Sequence, residues 1–349
     1  MSERRTSLAD IARELNTTSA TVSMALRNDP RISKRTRRRV HTAARKMGYV
    51  PDPEIARLMS HLRTSRTTRI ASTLAVLTDA EDAADYFVNP FICMLLQGIR
   101  EQAEELGHAL DFIRVRENRM SPARLQAILE TRAIRGALML PPQDISQPFP
   151  LPQEDIVLVA ASACVPEFEQ VHRVIPDHYA NMIALYQAII AAGYRSIGLV
   201  TSPEMEQRAR NCPVCVYEWM MRDHARMARI PPYVLNRTSK SLFAWYDKYR
   251  PSILVAPEMW LIEALQDHIN VPDEVPAALF MGFGTGFAGV NQHSEVIGRE
   301  AVQLLAAEVV RNVDALPEHP KTILIRGEFV PGASMPVPAP APPRTRRKV

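Results

Sequence analysis

Cysteine is scarce in this chain: four in 349 residues, at Cys93, Cys164, Cys212 and Cys215. A chain this long is not held together by so few bridges, and free thiols in a reducing cytoplasm are expected. No run of about 18 uncharged apolar residues exists, so no transmembrane helix is expected. The opening stretch MSERRTSLADIAREL carries basic residues but no apolar segment and no small-residue cleavage site. No secretory signal is expected, which points to a cytoplasmic protein with no membrane partner. G-x-S-x-G and H-E-x-x-H are both missing, and the histidines and carboxylates show no triad or metal spacing. The expectation is therefore a non-enzyme without cofactor or metal. The single C-x-x-C, Cys212 to Cys215, has no second C-x-x-C or H-x-x-x-H to complete a zinc site. His224 is the histidine near it. The pair reads as structural thiols in preference to a redox couple. No repeat of solenoid period is visible.

What the chain has is apolar residues, at 46%, and a lopsided charge. The apolar content is enough to bury a sizeable core at this length, and two or three domains are expected. Residues 1–69 hold 16 Lys and Arg against 6 Asp and Glu. The last 14 residues, 336–349, add four basic side chains and no acid. Between them, 22 basic residues face 32 acidic ones. A basic head on an acidic body is the signature of a polyanion-binding module joined to a soluble domain.

The head reads as three helices. In SLADIARELN, Leu8, Ile11, Ala12 and Leu15 recur at helical spacing, with Ser7 as cap and Asp10 as its box partner. Asn16 suits the C-terminal turn. Thr18 is the expected N-cap of a second helix, SATVSMALRN, whose apolar side is Val22, Ala25 and Leu26. Ser33 caps a third, KRTRRRVHTAARKM, which Gly48 can end. Two short helices joined by a tight turn, with a third behind them, make a helix-turn-helix unit. Pro51 and Pro53 break the third helix; PEIARLMSHLR is a short helix that needs a partner, and a basic linker runs to Arg69.

From Ile70 the texture changes. STLAVL, HALDFIRV, GALMLP, DIVLVAAS, SIGLVTS, PSILVA and AALFMGF are strand-length apolar runs, and helical patterns such as FICMLLQGIREQAEELG separate most of them. Strand–helix alternation implies parallel sheets covered on both faces, here in two batches. The end, PVPAPAPPRTRRKV, reads as an extended, disordered tail.

SLADIARELNTTSATVSMALRN followed by RISKRTRRRVHTAARKMGYVPDP resembles the DNA-binding head of the lactose- and purine-repressor (LacI/GalR) family of bacterial transcription regulators. Helix 1, the T-V-S core and the closing G-Y-x-P appear in order. A looser resemblance runs through GYRSIGLV, RPSILVAPEMWLIEALQ and INVPDEVPAALFMGF. It implies an α/β chain: an all-α helix-turn-helix head at 1–50, a hinge helix and linker at 51–69, and a periplasmic-binding-protein-like body at 70–335. That body would comprise two doubly wound subdomains, about 70–175 with 290–318 and about 176–289 with 319–335, before the tail at 336–349. It also implies a homodimer on a palindromic double-stranded operator, in the manner of a repressor, with a small-molecule effector in the cleft.

The resemblance puts base reading on Ser19, Ala20 and Met24, and phosphate contacts on Thr18, Thr21, Ser23 and Arg27. Small hydroxyl residues let a helix lie deep in the major groove while hydroxyls and amides reach phosphate. No Arg or Gln stands at a reading position, so bidentate readout of guanine or adenine from this helix is not available. Ala20 and Met24 can meet thymine methyls; the alternative for Met24 is packing inside the small core. Arg35, Arg37, Arg38 and Arg39 span one turn and cannot all face DNA. After Tyr49, a Leu of the hinge wedges into the minor groove in this family. Counting from Tyr49 gives Leu58, whereas aligning on Ala56-Arg57 gives Met59.

The cleft departs from the pattern. The sugar- and purine-binding members carry an Asp where this chain has Gly284, and an Arg whose register is lost among Arg208 and Arg210. Trp219 replaces the aromatic. Phe91, Arg208, Arg210, Trp219, Trp260 and Gly284 are the candidate lining, with core packing as the alternative for each aromatic. Simple sugars are not expected. A more apolar or an anionic ligand remains open, as does an architectural DNA-binder with a degenerate pocket. A ligand-binding protein whose head is incidental is the third reading.

Overall fold

The computed structural model describes residues 8–15, 17–26, 32–47, 72–80, 89–116, 120–152, 155–161, 166–224, 227–235, 239–258, 262–263, 268–282, 286–311 and 316–336. The expected hinge helix, the linker, the Ser7, Asn16 and Gly48 positions and the tail from 337 lie outside them.

Three helices open the chain: α1 (Leu8–Glu14), α2 (Ser19–Leu26) and α3 (Lys34–Lys46). Each is too short to persist alone and is held by a shared core. Ile11, Ala12, Val22, Ala25, Val40 and Ala44 are buried together, with Leu15, Leu26 and Met47 packed against them. Two of the expected caps form among the described residues. Ser33 Oγ accepts from the Thr36 N–H at 3.2 Å, and Thr18 Oγ1 accepts from the Thr21 N–H at 3.1 Å.

The body contains two six-stranded sheets. The first follows the order β11-β5-β4-β3-β1-β2, built from β1 (Ser72–Thr78), β2 (His108–Arg114), β3 (Gly136–Met139), β4 (Val157–Ala160), β5 (His172–Pro176) and β11 (Thr322–Ile325). All its pairings are parallel. The strands between its edges are largely buried on both faces, as a sheet covered on both sides requires. The helices over it include α4 (Pro90–Glu105) and α5 (Pro122–Thr131).

The second sheet runs β12-β10-β9-β8-β6-β7, from β6 (Ile197–Thr201), β7 (Tyr233–Val234), β8 (Ile253–Ala256), β9 (Ala277–Leu279), β10 (Ala288–Asn291) and β12 (Glu328–Val330). Only β12 is antiparallel to its neighbour. Its helices include α6 (His178–Ala191), α7 (Pro203–Arg208), α8 (Cys212–Asp223) and α9 (Ser239–Tyr249). The long α10 (Ser294–Arg311) returns to the first subdomain, where Ile297, Ala301, Val302 and Leu305 enter the core beside Leu95 and Ile99 of α4. The two helices approach so closely that a Cβ at Gly98 or Gly298 would collide with the facing backbone at Glu295 or Leu95.

The chain passes between subdomains after β5, after β10, and between β11 and β12. The expected third crossing, at about 319, is therefore too early. Residues Thr322 to Ile325 pair in parallel with Arg173 to Pro176 of the first sheet, and only from Glu328 does the chain join the second. The cause is the closeness of the two strands: β11 (TILI) is followed by β12 after only Arg326 and Gly327, so the sequence marks no change of sheet between them. At the crossings, the Asp177 N–H donates to Ile325 O at 2.8 Å. The Gly327 N–H donates to Asn181 Oδ1 at 2.8 Å.

Candidate nucleic-acid interface and inter-subdomain cleft

In the head, Val22 and Ala25 turn α2 toward the core. That orientation fixes which side of α2 is committed to protein. At its start, the Thr18 and Thr21 hydroxyls bond to each other at 2.9 Å, and Thr18 also caps the helix. Each hydroxyl oxygen keeps further bonding capacity, so a phosphate at the helix N-terminus is compatible with the cap. Ser19, Ala20, Ser23 and Met24 lie on α2 as expected, but their side chains, like Arg27, Tyr49, Arg57, Leu58 and Met59, are outside the described residues.

α3 has no acid in its first turn and ends on Arg45 and Lys46. Arg35, Arg38 and Arg39 are exposed, while Arg37 is half-buried. Arg38, Arg39 and Lys46 border a groove of about 560 Å³ between the end of α1 and α3, floored by Leu15, Ala43 and Met47. Arg35 does not line that groove. The arginine cluster thus divides between faces, as one helical turn of consecutive residues must.

In the body, the described cleft residues are engaged with protein. Asp79, at the carboxyl end of β1 and 5% exposed, accepts from the Gln143 N–H at 2.9 Å and the Asp144 N–H at 3.1 Å. It cinches the loop after β3. Arg208, at the end of α7 in the other subdomain, grips the same loop: Nη1 donates to Pro142 O at 2.8 Å and Nη2 to Gln143 O at 2.6 Å. Glu204 Oε1 steadies the guanidinium from one turn back, at 2.8 Å. Arg210 reaches Glu169 at 2.6 Å, and Glu169 also holds Arg173 at 2.6 Å. Both arginines expected to await an anionic ligand are bound to the first subdomain instead. Arg208, with a side chain only 17% exposed, forms a clasp across the cleft.

The aromatic candidates are not brought together. Phe91 follows the Asn89 cap at the start of α4 and packs against the first-subdomain core. Trp219 is 48% exposed, on the side of α8 away from the buried Val216, Tyr217 and Met220. Trp260 and Gly284 lie outside the described residues. Among the described residues no set of three His, Cys, Asp or Glu is placed to hold a metal, and no helix is long and apolar enough to cross a membrane.

The reading missed Asp79 and Glu206. Asp79 had a signal: it is the first polar residue beyond a parallel strand, where ligand and loop contacts gather in doubly wound sheets. Glu206 is 7% exposed, and one carboxyl oxygen accepts from the Val214 N–H at 3.3 Å. Burial pushes its carboxyl pKa up, against the opposing effects of the Thr201 hydroxyl and that N–H. Nothing in the local sequence EMEQR distinguishes it from a surface acid.

Residues 7–52 match the family model described as "Bacterial regulatory proteins, lacI family". The HTH-type transcriptional repressor CytR of Escherichia coli (strain K12) is 26% identical over 224 residues, covering 62% of this chain and 57% of that protein. The sucrose operon repressor of Shigella flexneri is 31% identical over 192 residues, covering 54% of this chain and 53% of that one. The chain thus spans little more than half the length of these relatives. Among solved structures, a transcriptional regulator CelR–cellobiose complex has a TM-score of 0.57 at 21% identity, covering 95% of this chain and 100% of that one. A lac repressor dimer bound to operator and the anti-inducer ONPF has a TM-score of 0.54 at 14% identity, with the same coverage. These likenesses speak for the fold of the body, two parallel-sheet subdomains behind a small helical head. Over residues 7–52, then, the chain carries a segment that matches the lacI family of bacterial regulatory proteins.

Proposed function

We propose that this protein is a sequence-specific DNA-binding transcription regulator, a repressor that acts as a homodimer on a palindromic operator. The observation that carries this reading is the head. A capped α2 packs Val22 and Ala25 on a private core, beside an acid-poor and arginine-rich α3. Residues 1–50 serve as the reading head, 51–69 as the hinge, and 70–335 as the dimerising body. Ser19, Ala20 and Met24 meet base edges; Thr18, Thr21, Ser23, Arg27 and Arg35 meet phosphate. Tyr49 and Arg57 also contact DNA, and Leu58 is the minor-groove wedge.

Charge supplies most of the affinity. Log K should fall with log salt at about −0.9 per phosphate neutralised. Binding that barely responds between low and moderate salt would count heavily against the reading. Deleting residues 1–69 should abolish DNA binding and leave a folded dimer. Leu58→Ala should reduce specific binding and DNA bending while sparing weak nonspecific binding. If Met59→Ala has that effect and Leu58→Ala does not, the wedge is Met59.

A second reading concerns the cleft, and the Arg208 clasp favours it. One solved neighbour is a cellobiose complex; in this chain the cleft is crossed by a guanidinium bound to two backbone carbonyls. Arg208 therefore ties the two subdomains together at this point. An effector, if one acts, must displace or bypass that contact, and monosaccharides should not bind tightly. A thermal-shift series over sugars, nucleobases and organic acids tests this. Micromolar binding of a monosaccharide in contact with residues 282–287 would overturn it.

A further inference from the structure

Cys212 and Cys215 have no part in the function proposed above. They take the first and fourth positions of α8. Cys212 is half-buried, Cys215 is exposed, and both are free thiols. Residues three apart on a helix hold their Cβ atoms about 5–6 Å apart. A disulfide needs about 3.5–4.5 Å. Closure therefore asks the first turn of α8 to tighten by roughly 1–2 Å.

That turn is built to yield and is wired to the clasp. Pro213 brings no N–H to it, and the Cys215 N–H reaches Asn211 O at a long 3.3 Å. Immediately before it, Arg210 and Asn211 both hold left-handed backbone, at φ 57° and 58°, a conformation that costs side-chain-bearing residues energy. The Asn211 N–H donates to Glu206 O at 2.7 Å and the Cys212 N–H to Ala209 O at 3.1 Å. The Val214 N–H donates to the Glu206 carboxylate at 3.3 Å. The start of α8 is thus tied at three points to α7 and the residue that follows it, and α7 ends on Arg208, which crosses the cleft.

We propose that Cys212 and Cys215 form a reversible disulfide, made by exchange with a low-molecular-weight disulfide, whose closure tightens the start of α8 and loosens the Arg208 clasp. Exposed Cys215 reacts first. Its thiolate attacks one sulfur of the small disulfide, a mixed disulfide forms, and one small thiolate leaves. Cys212 Sγ then gives up its proton to solvent and attacks Cys215 Sγ, expelling the second small thiolate. Two protein thiols are oxidised by two electrons, one small disulfide is reduced to two thiols, and the released protons end on those thiols. Burial raises the Cys212 thiol pKa, which disfavours it as the first nucleophile and leaves it the step in which the partner sulfur is already held close. A metal is the poorer occupant, since no third ligand joins the pair among the described residues.

The test does not depend on DNA binding. The full-length chain is equilibrated in buffers of graded glutathione and glutathione disulfide, quenched in acid, alkylated and digested with trypsin. The peptide from Asn211 to Arg222 carries both cysteines. It should appear two hydrogens lighter and closed to alkylation, and should reopen with dithiothreitol. Cys212→Ser should instead stop at a glutathione adduct on Cys215, while Cys93→Ser should behave as the parent does. Coupling is reciprocal. Arg208→Gln, which removes the clasp in advance, should therefore shift the dithiol–disulfide equilibrium toward the disulfide by about fivefold or more. Two thiols still alkylatable in the most oxidising buffer, a bond between two chains, or an unresolved adduct on Cys215 of the parent would overturn the proposal. An equilibrium unchanged in Arg208→Gln would overturn its link to the cleft.

Discussion

Replacing Arg208 by Ala should release the two subdomains from each other. The side chain makes two charge-assisted bonds across the cleft, at 2.8 and 2.6 Å. Bonds of this kind are worth roughly 1.5–3 kcal/mol each. The full sum is not expected, because Gln143 is exposed and water can replace the guanidinium at its carbonyl. Pro142 is buried, and its carbonyl loses a partner that water reaches less easily. A net loss of about 2–3 kcal/mol follows. The element that should report it is α7. With six residues, Pro203 to Arg208, it cannot hold a helix unaided and depends on docking. Hydrogen exchange followed by mass spectrometry should show amides of residues 205–209 exchanging roughly 30- to 150-fold faster, at about 1.4 kcal/mol per decade. The loop at 142–144 should change less, since Asp79 holds its amides from within the first subdomain. If exchange in α7 stays within about threefold of the parent, the contact carries no weight and the closed cleft needs another explanation.

Thr18→Ala removes the α2 cap and should destabilise the head by about 0.5–2 kcal/mol, read as a lower melting midpoint of the head in near-ultraviolet and far-ultraviolet circular dichroism. Gly98→Ala and Gly298→Ala force a methyl between α4 and α10 and should each cost about 1–3 kcal/mol in urea unfolding. Gly193→Ala meets no neighbour within 4 Å but sits at φ 102°, so any loss there comes from backbone strain alone. Burial pushes the His178 imidazole down to about 4 from its usual 6.5, against the pull of Asp177. The unfolded chain binds that proton more readily, so stability is present above pH 6.5 and is lost as pH falls through about 4. The ceiling is about 3 kcal/mol, lowered by the ring's partial exposure, and His178→Gln should flatten the acid limb of a urea-midpoint profile.

The head was legible because its signals are local. Caps at Thr18 and Ser33 and the spacing of Ile11, Ala12, Val22 and Ala25 are written in a few consecutive residues, and those apolar residues lie in its core. Many strands were legible for the same reason, as continuous apolar runs such as LVA in β4 and ILVA in β8. Others were not. In β11, half-buried Ile323 and Ile325 alternate with exposed Thr322 and Leu324 at a sheet margin, and β5, inside the sheet, opens on His172 and Arg173, buried polar residues that break the apolar pattern. The cleft was least legible. Arg208 was singled out for its charge, yet its partners are backbone carbonyls 65 and 66 residues away in sequence. A carbonyl leaves no mark in a sequence, so an arginine that clasps protein and an arginine that awaits an anion look alike until the fold is known.

The central claim is that the head reads a defined, two-fold symmetric DNA sequence. Selection of bound fragments from random duplex DNA by the full-length protein, at moderate salt, tests specificity and symmetry together. The account predicts enrichment of one sequence whose halves are related by inversion. It also predicts that a Leu58→Ala protein enriches the same sequence more weakly. A pool that stays random, or that enriches without any inverted symmetry, would contradict it.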